Sequence, residues 1–515
     1  MYIIEALVLY RNLPNPLLSF RSTQKYEEGS VLVAPLKQND VFVLVVSCQS
    51  IVERKLTIKH VSFELKPLKP QEPLGIITPY LLQTIVKFAE QAQTPLHTLI
   101  STKIFERFMT QLPKWLPSTN TPAIHEFHPI NTLIQDILES EYSLIIICPS
   151  VLYLRTLQEQ LTDALESDHT LLTTFYGGST AGEQRITEQF LSDTQADGER
   201  TVILTTSSFI PFIYSDTRLT TILIEPENIY HQDSEHNFSH AQFLLGTADI
   251  SVHCYGLTKD LNKYISTIPY TIIERKDKQS TTYISALEAM LPKKMLGLLS
   301  KDLKQKKTIG IFSLQTGYSS AIFCTTCKKV ARCPSCDAKL HKHVQNKKVT
   351  YRCHNENKDF DPWDICQYCG ALSLIELGVG TEQLEEYLRE YFPTKIPLFR
   401  LDAFKVSSES LSPKKITAMV SDIHSQGGIL IGSLKAFLST ALHFDSLYIL
   451  DYDQLAYSQA TTFNRSTVLA LIMIKADHLT LISDDAALAP TPTDILQEAL
   501  LSAHPHEHKP HLANP

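Results

Sequence analysis

Seven of the chain's ten cysteines lie between positions 324 and 369. They form Cys324-x-x-Cys327, Cys333-x-x-Cys336, a single Cys353, and Cys366-x-x-Cys369. Two thiolates held two residues apart on a tight turn can reach one tetrahedral Zn2+ ion. One such pair is a weak signal, whereas three pairs and a single cysteine in one short segment are a strong one. In a reducing compartment this clustering reads as metal rather than disulfide. No HxE or HExxH pattern accompanies the thiols, so closed structural sites are expected and no catalytic ones. The other three cysteines, Cys48, Cys148 and Cys254, lie singly in apolar surroundings and read as buried thiols.

The cysteine segment also reverses the sign of the chain. The whole protein has a net charge of −8, yet from Lys328 to Arg352 eight Lys and Arg residues face one acid, Asp337. Lys328, Lys329, Arg332, Lys342, Lys347 and Lys348 are the cations expected to meet a phosphate backbone. The plainer reading of the same charges is the solvated face of a zinc ribbon. Because the chain as a whole is acidic, nucleic-acid contact has to come from such local patches.

The elements that must hold this segment follow from length and patterning. A chain of 515 residues exceeds one core and implies several domains. Residues 1–70 contain short β-branched runs, YIIEALVLY, GSVLVAPL and DVFVLVVSC, and read as a small β-barrel or sandwich. A Pro-rich linker at 66–75 leads to an amphipathic helix from Thr78, within a compact helical module reaching about 112. Beyond a second linker at 113–129, strands LIIIC, TVILTT and TTILIEP alternate with helical stretches, the pattern of a parallel α/β sheet. A second such block holds TIGIFSL, the cysteine insert, the helix TEQLEEYLREYF, GILIGS and SLYILDYD. The tail carries a short helix and a Pro/His-rich end, whose histidines at 504, 506, 508 and 511 read as a frayed terminus. No segment reaches the ~18 apolar residues of a membrane span and no signal peptide is evident, so a cytoplasmic protein is expected.

The insert, CTTCKKVARCPSCDAKL followed by Cys353 and ICQYCG, together with GVGTEQLEEYLREYFP and FRLDA, resembles the primosomal protein N-prime family of bacterial replication-restart helicases. The likeness is specific over about 310–405 and extends loosely over 1–485. It implies a multidomain α/β protein with an N-terminal β-barrel that binds DNA 3′ ends (1–70) and a winged-helix segment (76–112). Two RecA-like parallel-sheet lobes should follow (130–285 and 286–485), with a zinc-binding insert at 321–372 in the second, then a helix and flexible tail (486–515). It also implies that Cys324, Cys327, Cys366 and Cys369 share one zinc, and that Cys333, Cys336 and Cys353 share another. The last ligand of that second site should fall at position 356, which is Glu356 here; His354, or His341 or His343, is the other candidate. In the barrel, Phe20 and Lys59 match the residues expected to hold a DNA 3′ end, although a core phenylalanine and an exposed lysine explain them as well.

The motor of such a helicase is not legible. A phosphate loop needs glycines that let the backbone wrap the triphosphate, and a lysine that reaches its outer phosphates. The stretch PINTLIQDILESEY ahead of LIIICPS has neither. The family's DEEH is matched by Glu225-Pro226-Glu227-Asn228, whose two acids read as a solvated strand end. No GRxGR follows Arg465, so the arginine finger is missing. These groups act as a unit, so no catalytic residues and no ATPase or helicase turnover are expected, with weak ATP binding left open. The reading is a replication-restart protein in primosome assembly, zinc-stabilised and binding branched or single-stranded DNA at stalled forks, with replication proteins as partners and no membrane. An active helicase with an altered nucleotide site is the alternative, and a zinc-stabilised interaction scaffold the second alternative.

Overall fold

The computed structural model describes residues 1–8, 17–36, 39–51, 65–73, 75–76, 125–167, 170–176, 182–183, 200–207, 219–233, 238–245, 251–258, 267–275, 291–319, 321–345, 348–392, 395–402, 412–450, 452–453 and 465–503. The expected winged-helix segment, Lys59, Lys347 and the tail histidines lie outside them. The chain divides into two compact units. One comprises Met1–Val151, Gln160–Pro226 and Tyr230–Gly256; the other comprises Leu152–Glu159, Glu227–Ile229 and Leu257–Pro515.

The first unit begins with a curled sheet of six strands in the order β5-β2-β1-β4-β3-β6. Its strands are β1 (Tyr2–Val8), β2 (Leu17–Ser22), β3 (Ser30–Leu36), β4 (Asn39–Ser50), β5 (Lys66–Pro67) and β6 (Gly75–Ile76). The long pairings β1–β2, β1–β4 and β3–β4 are antiparallel, with a register shift between Glu5 and Ala6 that lets the sheet bend. Ile4, Ala6, Val8, Phe20, Leu32 and Val43 fill its core. Phe20 is 1% exposed, so its ring is a core element and offers no face for a base, a correction to the DNA-end expectation.

The same unit then forms a parallel six-stranded sheet, β7-β14-β11-β8-β10-β9. Its strands are β7 (His125–Pro129), β8 (Ser143–Cys148), β9 (Leu171–Phe175), β10 (Thr201–Thr206), β11 (Leu219–Ile224) and β14 (Val252–Gly256), with a small hairpin β12 (Gln232–Asp233) and β13 (Phe238–Ser239) between the last two. The near-continuous apolar runs of β8, β10 and β11 are what a sheet covered on both faces requires. The connection from β7 to helix α1 (Leu133–Glu139) is a single 3-10 turn, Ile130–Thr132, entered from Pro129. It contains no glycine, and Pro129 has no N–H to offer.

The second unit holds another parallel sheet, β15-β25-β24-β16-β23-β22. Its strands are β15 (Tyr270–Glu274), β16 (Thr308–Phe312), β22 (Leu398–Leu401), β23 (Gly428–Gly432), β24 (Ser446–Ile449) and β25 (Leu479–Ser483). The division between lobes therefore falls earlier than the expected 285/286, because β15 pairs in parallel with β25. Helices α2 (Lys293–Lys304) and α3 (Thr381–Tyr391) pack their apolar faces on this sheet through Met295, Leu299, Leu384 and Leu388, all fully buried. Each such side chain contributes about 1.5–3 kcal/mol of burial free energy. Helix α4 (Pro413–Gln426) starts with Ser412, whose hydroxyl accepts from the Lys415 N–H, and with proline at its first position. Among the described residues, no helix is long and apolar enough to cross a membrane.

Candidate metal centre

The cysteine segment leaves the second lobe after β16 and returns to it before α3. It contains a two-stranded sheet, β17 (Ala321–Cys324) with β21 (Leu374–Leu377), and a three-stranded one, β18 (His341–Gln345), β19 (Lys348–Cys353) and β20 (Lys358–Phe360). A small core of Ile322, Ala331, Leu340 and Tyr351 supports both, with Trp363 packed edge-on to Tyr351 at 5.5 Å.

Three cysteine turns share one backbone design. The N–H of the first cysteine donates to the carbonyl five residues on: Cys324 to Lys329 (2.9 Å), Cys333 to Ala338 (2.7 Å) and Cys366 to Ala371 (2.9 Å). The residue four after that cysteine adopts the left-handed region, with φ of 58° at Lys328, 60° at Asp337 and 69° at Gly370. Its N–H donates back to the first cysteine's carbonyl at 2.9–3.0 Å. These tight turns bring both thiols of each pair to one side. The fourth turn repeats the design without a second cysteine. Cys353 pairs with Lys358 across β19 and β20, and Asn357 has φ of 55°. Glu356 therefore occupies the position that a second cysteine holds in the other three.

The turns combine into two groups. Cys324, Cys327, Cys366 and Cys369 converge on one point, and Cys333, Cys336 and Cys353 on another. The sulfur separations are 3.7 Å for Cys324–Cys369, 3.6 Å for Cys327–Cys366 and 3.4 Å for Cys336–Cys353. All are far longer than the ~2.05 Å of a disulfide. Four thiolates about 2.3 Å from a tetrahedral zinc would stand about 3.8 Å apart, so the four-thiol group fits that ion. The backbone N–H of Cys327 and the Ser373 hydroxyl hold the Cys324 thiol down at about 6, whereas burial pushes Cys327 up to about 12. Four thiolates at one point repel, and a divalent cation removes that penalty.

The three-thiol group contains no imidazole among the described residues. His354, His341 and His343, expected as possible ligands, instead face one another. His343 Nε2 lies 3.2 Å from His354 Nε2, and the His341 and His354 rings meet edge-on at 4.6 Å. Glu356 lies beside its own cation, with Oε2 3.1 Å from Lys358 Nζ.

His343 has a different task, one the sequence reading did not assign. Its Nδ1 meets Glu382 Oε1 at 2.6 Å, and the other Glu382 oxygen accepts the Val344 N–H at 2.9 Å. Arg400 Nη1 lies 3.3 Å from Glu382 and 2.9 Å from Asp402, and Thr381 donates to Asp402 at 2.8 Å. All of these side chains are buried. The Gly-Thr-Glu and Arg-x-Asp motifs thus root the insert in the lobe. Gly317 and Gly380 complete the joint: a Cβ on Gly380 would sit 2.0 Å from the Gly317 carbonyl oxygen. The spacing of charged residues in GVGTE and FRLDA was the available signal.

The cations of the insert divide. Lys328, Lys329, Arg332 and Lys348 are exposed. Lys329 lies over the Tyr368 ring at 4.8 Å, and Arg332 holds the Asp337 carbonyl at 2.7 Å. Lys342 is half-buried in an ion pair with Glu376 and belongs to the scaffold of the module. In the first lobe Glu225 is fully buried with φ of 47°, and its N–H donates to the Tyr255 carbonyl at 2.6 Å. It is part of the sheet's packing, and the expectation of a solvated strand end is corrected there.

No family model matches the chain. Replication restart protein PriA of Haemophilus influenzae is 28% identical over 162 residues, covering 31% of this chain and 21% of that protein. PriA of Helicobacter pylori is 22% identical over 534 residues, covering 94% of this chain and 80% of that protein. The chain is similar to PriA proteins at low identity. Its matched stretch spans about a fifth of the Haemophilus relative's length. The solved structure of S. cerevisiae Dbp5 bound to RNA and ADP BeF3 is similar at 10% identity and a TM-score of 0.40, covering 82% of this chain and 92% of that one.

Proposed function

We propose that this chain is a zinc-stabilised DNA-binding protein of replication restart, acting on branched or single-stranded DNA at stalled forks in the cytoplasm without ATP turnover. The observation that carries the reading is the exposure of Lys328, Lys329, Arg332 and Lys348 on the cysteine module of an otherwise acidic chain. Such a patch contacts phosphates through charge and releases counterions on binding. The glycine-free turn between β7 and α1 supports the loss of the motor, since nothing there can wrap a triphosphate. Replication proteins are the partners in this reading.

Two zinc ions fit the module. The outer site has four thiolates and the inner has Cys333, Cys336 and Cys353; the Glu356 carboxylate, which in this structure pairs with Lys358, would turn to the inner site as the eighth ligand. Carboxylate is an ordinary zinc ligand at about 2.0–2.2 Å.

Fluorescence anisotropy with forked DNA tests the reading. Binding is expected at low salt and should weaken steeply as salt rises. The double change Lys329→Ala and Arg332→Ala should weaken binding and flatten the salt slope by about one per lost phosphate contact. Absence of binding at low salt, or robust fork-stimulated ATP hydrolysis, would overturn it. A second reading, a scaffold that docks another protein, is favoured by Leu372, Ile365 and Tyr368 beside the outer site, exposed by 81%, 52% and 45%. Retained partner capture without DNA binding would support that one instead.

A further inference from the structure

The edge of the first parallel sheet carries a second set of metal-ligand side chains, far in composition from the cysteine module. Glu126 and His128 stand two residues apart on edge strand β7 and so share one face. On β14, His253 is the register partner of Glu126, and Tyr255 is that of His128.

Three ligand atoms converge there. His128 Nε2 lies 3.1 Å from His253 Nδ1, Glu126 Oε2 lies 3.2 Å from His253 Nδ1, and Glu126 Oε2 lies 3.6 Å from His128 Nε2. Ligands held about 2.0–2.1 Å from a tetrahedral ion are about 3.3 Å apart, so the triangle has the size of one face of such a site. A hydrogen-bonded pair of neutral histidines would account for one of these contacts. A His253 Nδ1–H shared between the His128 ring nitrogen and the Glu126 carboxylate would also satisfy these contacts, and metal uptake separates the two arrangements.

The rings are also held in place. His128 stacks on Tyr255 at 5.0 Å with 23° between planes, and on His253 at 5.3 Å with 19°. Tyr255 is 5% exposed and hydrogen-bonds Asp136, which in turn accepts from Thr132 Oγ1 at 2.7 Å. A supporting shell of this kind fixes ligand orientation. The outward side is open: the side chains of Glu126, His128 and His253 are 54%, 31% and 36% exposed.

We propose that Glu126, His128 and His253 form a binding site for a borderline divalent transition metal, with its remaining position open to water. Two imidazoles and one carboxylate select Zn2+, Co2+ or Ni2+ over Mg2+ and Ca2+, which prefer oxygen ligands. The site stands independently of the replication-restart reading and of the cysteine zincs.

Titration of the full, zinc-loaded chain with Co2+ tests it. Cobalt bound by thiolates gives strong sulfur-to-metal charge transfer; cobalt bound by nitrogen and oxygen gives ligand-field bands without it. The expected result is one further equivalent of cobalt per chain with ligand-field bands alone. His253→Ala should abolish that equivalent. Glu126→Gln, a change at a half-open surface position that should leave the sheet intact, should weaken it tenfold or more. Circular dichroism of the two variants should match the parent. Cobalt uptake unchanged in either variant, or no ligand-field signal beyond the thiolate sites, overturns the proposal.

Discussion

Glu356 stands three residues after Cys353, on a turn with the same backbone pairing and left-handed fourth residue that set Cys336 three residues after Cys333. The turn has the shape of the other three and carries a carboxylate where they carry a second thiol. In the proposed inner site that carboxylate would be a harder and less strongly bound ligand than a thiolate.

Glu356→Cys should therefore tighten the inner site. Changes outside the ligand shell move metal affinity about 10- to 100-fold, and replacing a ligand should do at least as much. Zinc release to a chromophoric chelator is the measurement, with Glu356→Cys slower than the parent and Glu356→Ala faster. Equal release from all three would remove Glu356 from the site.

Chelation should loosen the module as well as empty it. Trp363 packs on Tyr351 and on the small core that includes Cys333 and Cys353. Removing zinc with excess chelator is expected to shift Trp363 emission to longer wavelength, and adding zinc back should restore it. Cys366→Ser should lower the zinc content by one ion per chain.

The buried joint between module and lobe should be costly to break. Glu382→Ala leaves the buried His343 Nδ1 and the Val344 N–H without their acceptor, while Arg400 keeps Asp402 and Glu385, and buried polar groups left unsatisfied cost about 1–3 kcal/mol each. The urea midpoint of the variant should fall accordingly. Replacing Leu372, which is exposed, should leave it unchanged.

One histidine in the first lobe sets a pH dependence. His231 is fully buried; its Nε2–H donates to the Ile224 carbonyl at 2.7 Å, and Ser207 meets Nδ1. Burial pushes this imidazole down to about 4. The unfolded chain takes up a proton near pH 6.5, while the folded one resists until about 4. The contribution is complete above 6.5 and is lost as pH falls between these values, by up to about 3 kcal/mol. Melting temperature against pH should show this slope, and His231→Gln should flatten it.

Much of the scaffold was legible because its signals are local. The apolar runs at 144–148, 201–206 and 428–432 each became the strand that their length and β-branched content dictate. The cysteine spacing pointed to metal, the family resemblance implied two groups, and the folded chain brings those same groups together. What depends on distant pairing was hidden. Phe20 looks the same in sequence whether it stacks a base or fills a barrel, and only its register against Ile4 decides. Nor does Tyr270–Glu274 announce which lobe it joins, because its partner β25 begins at Leu479. The three histidines of the insert failed as predicted ligands because Glu382, from a helix beyond the module, claims His343. The pairing of Glu126 with His253 is equally non-local, and HEFH alone gives no reason to look toward position 253.

The antiparallel pairing of Ala321–Cys324 with Leu374–Leu377 places the entrance and exit of the insert side by side. A detour that closes on itself adds only a slowly growing loop entropy to the lobe that carries it. The paired ends and the buried His343–Glu382 contact together fix how the module is seated on that lobe, so a shift at the metal centre is felt at the start of the helix Thr381–Tyr391.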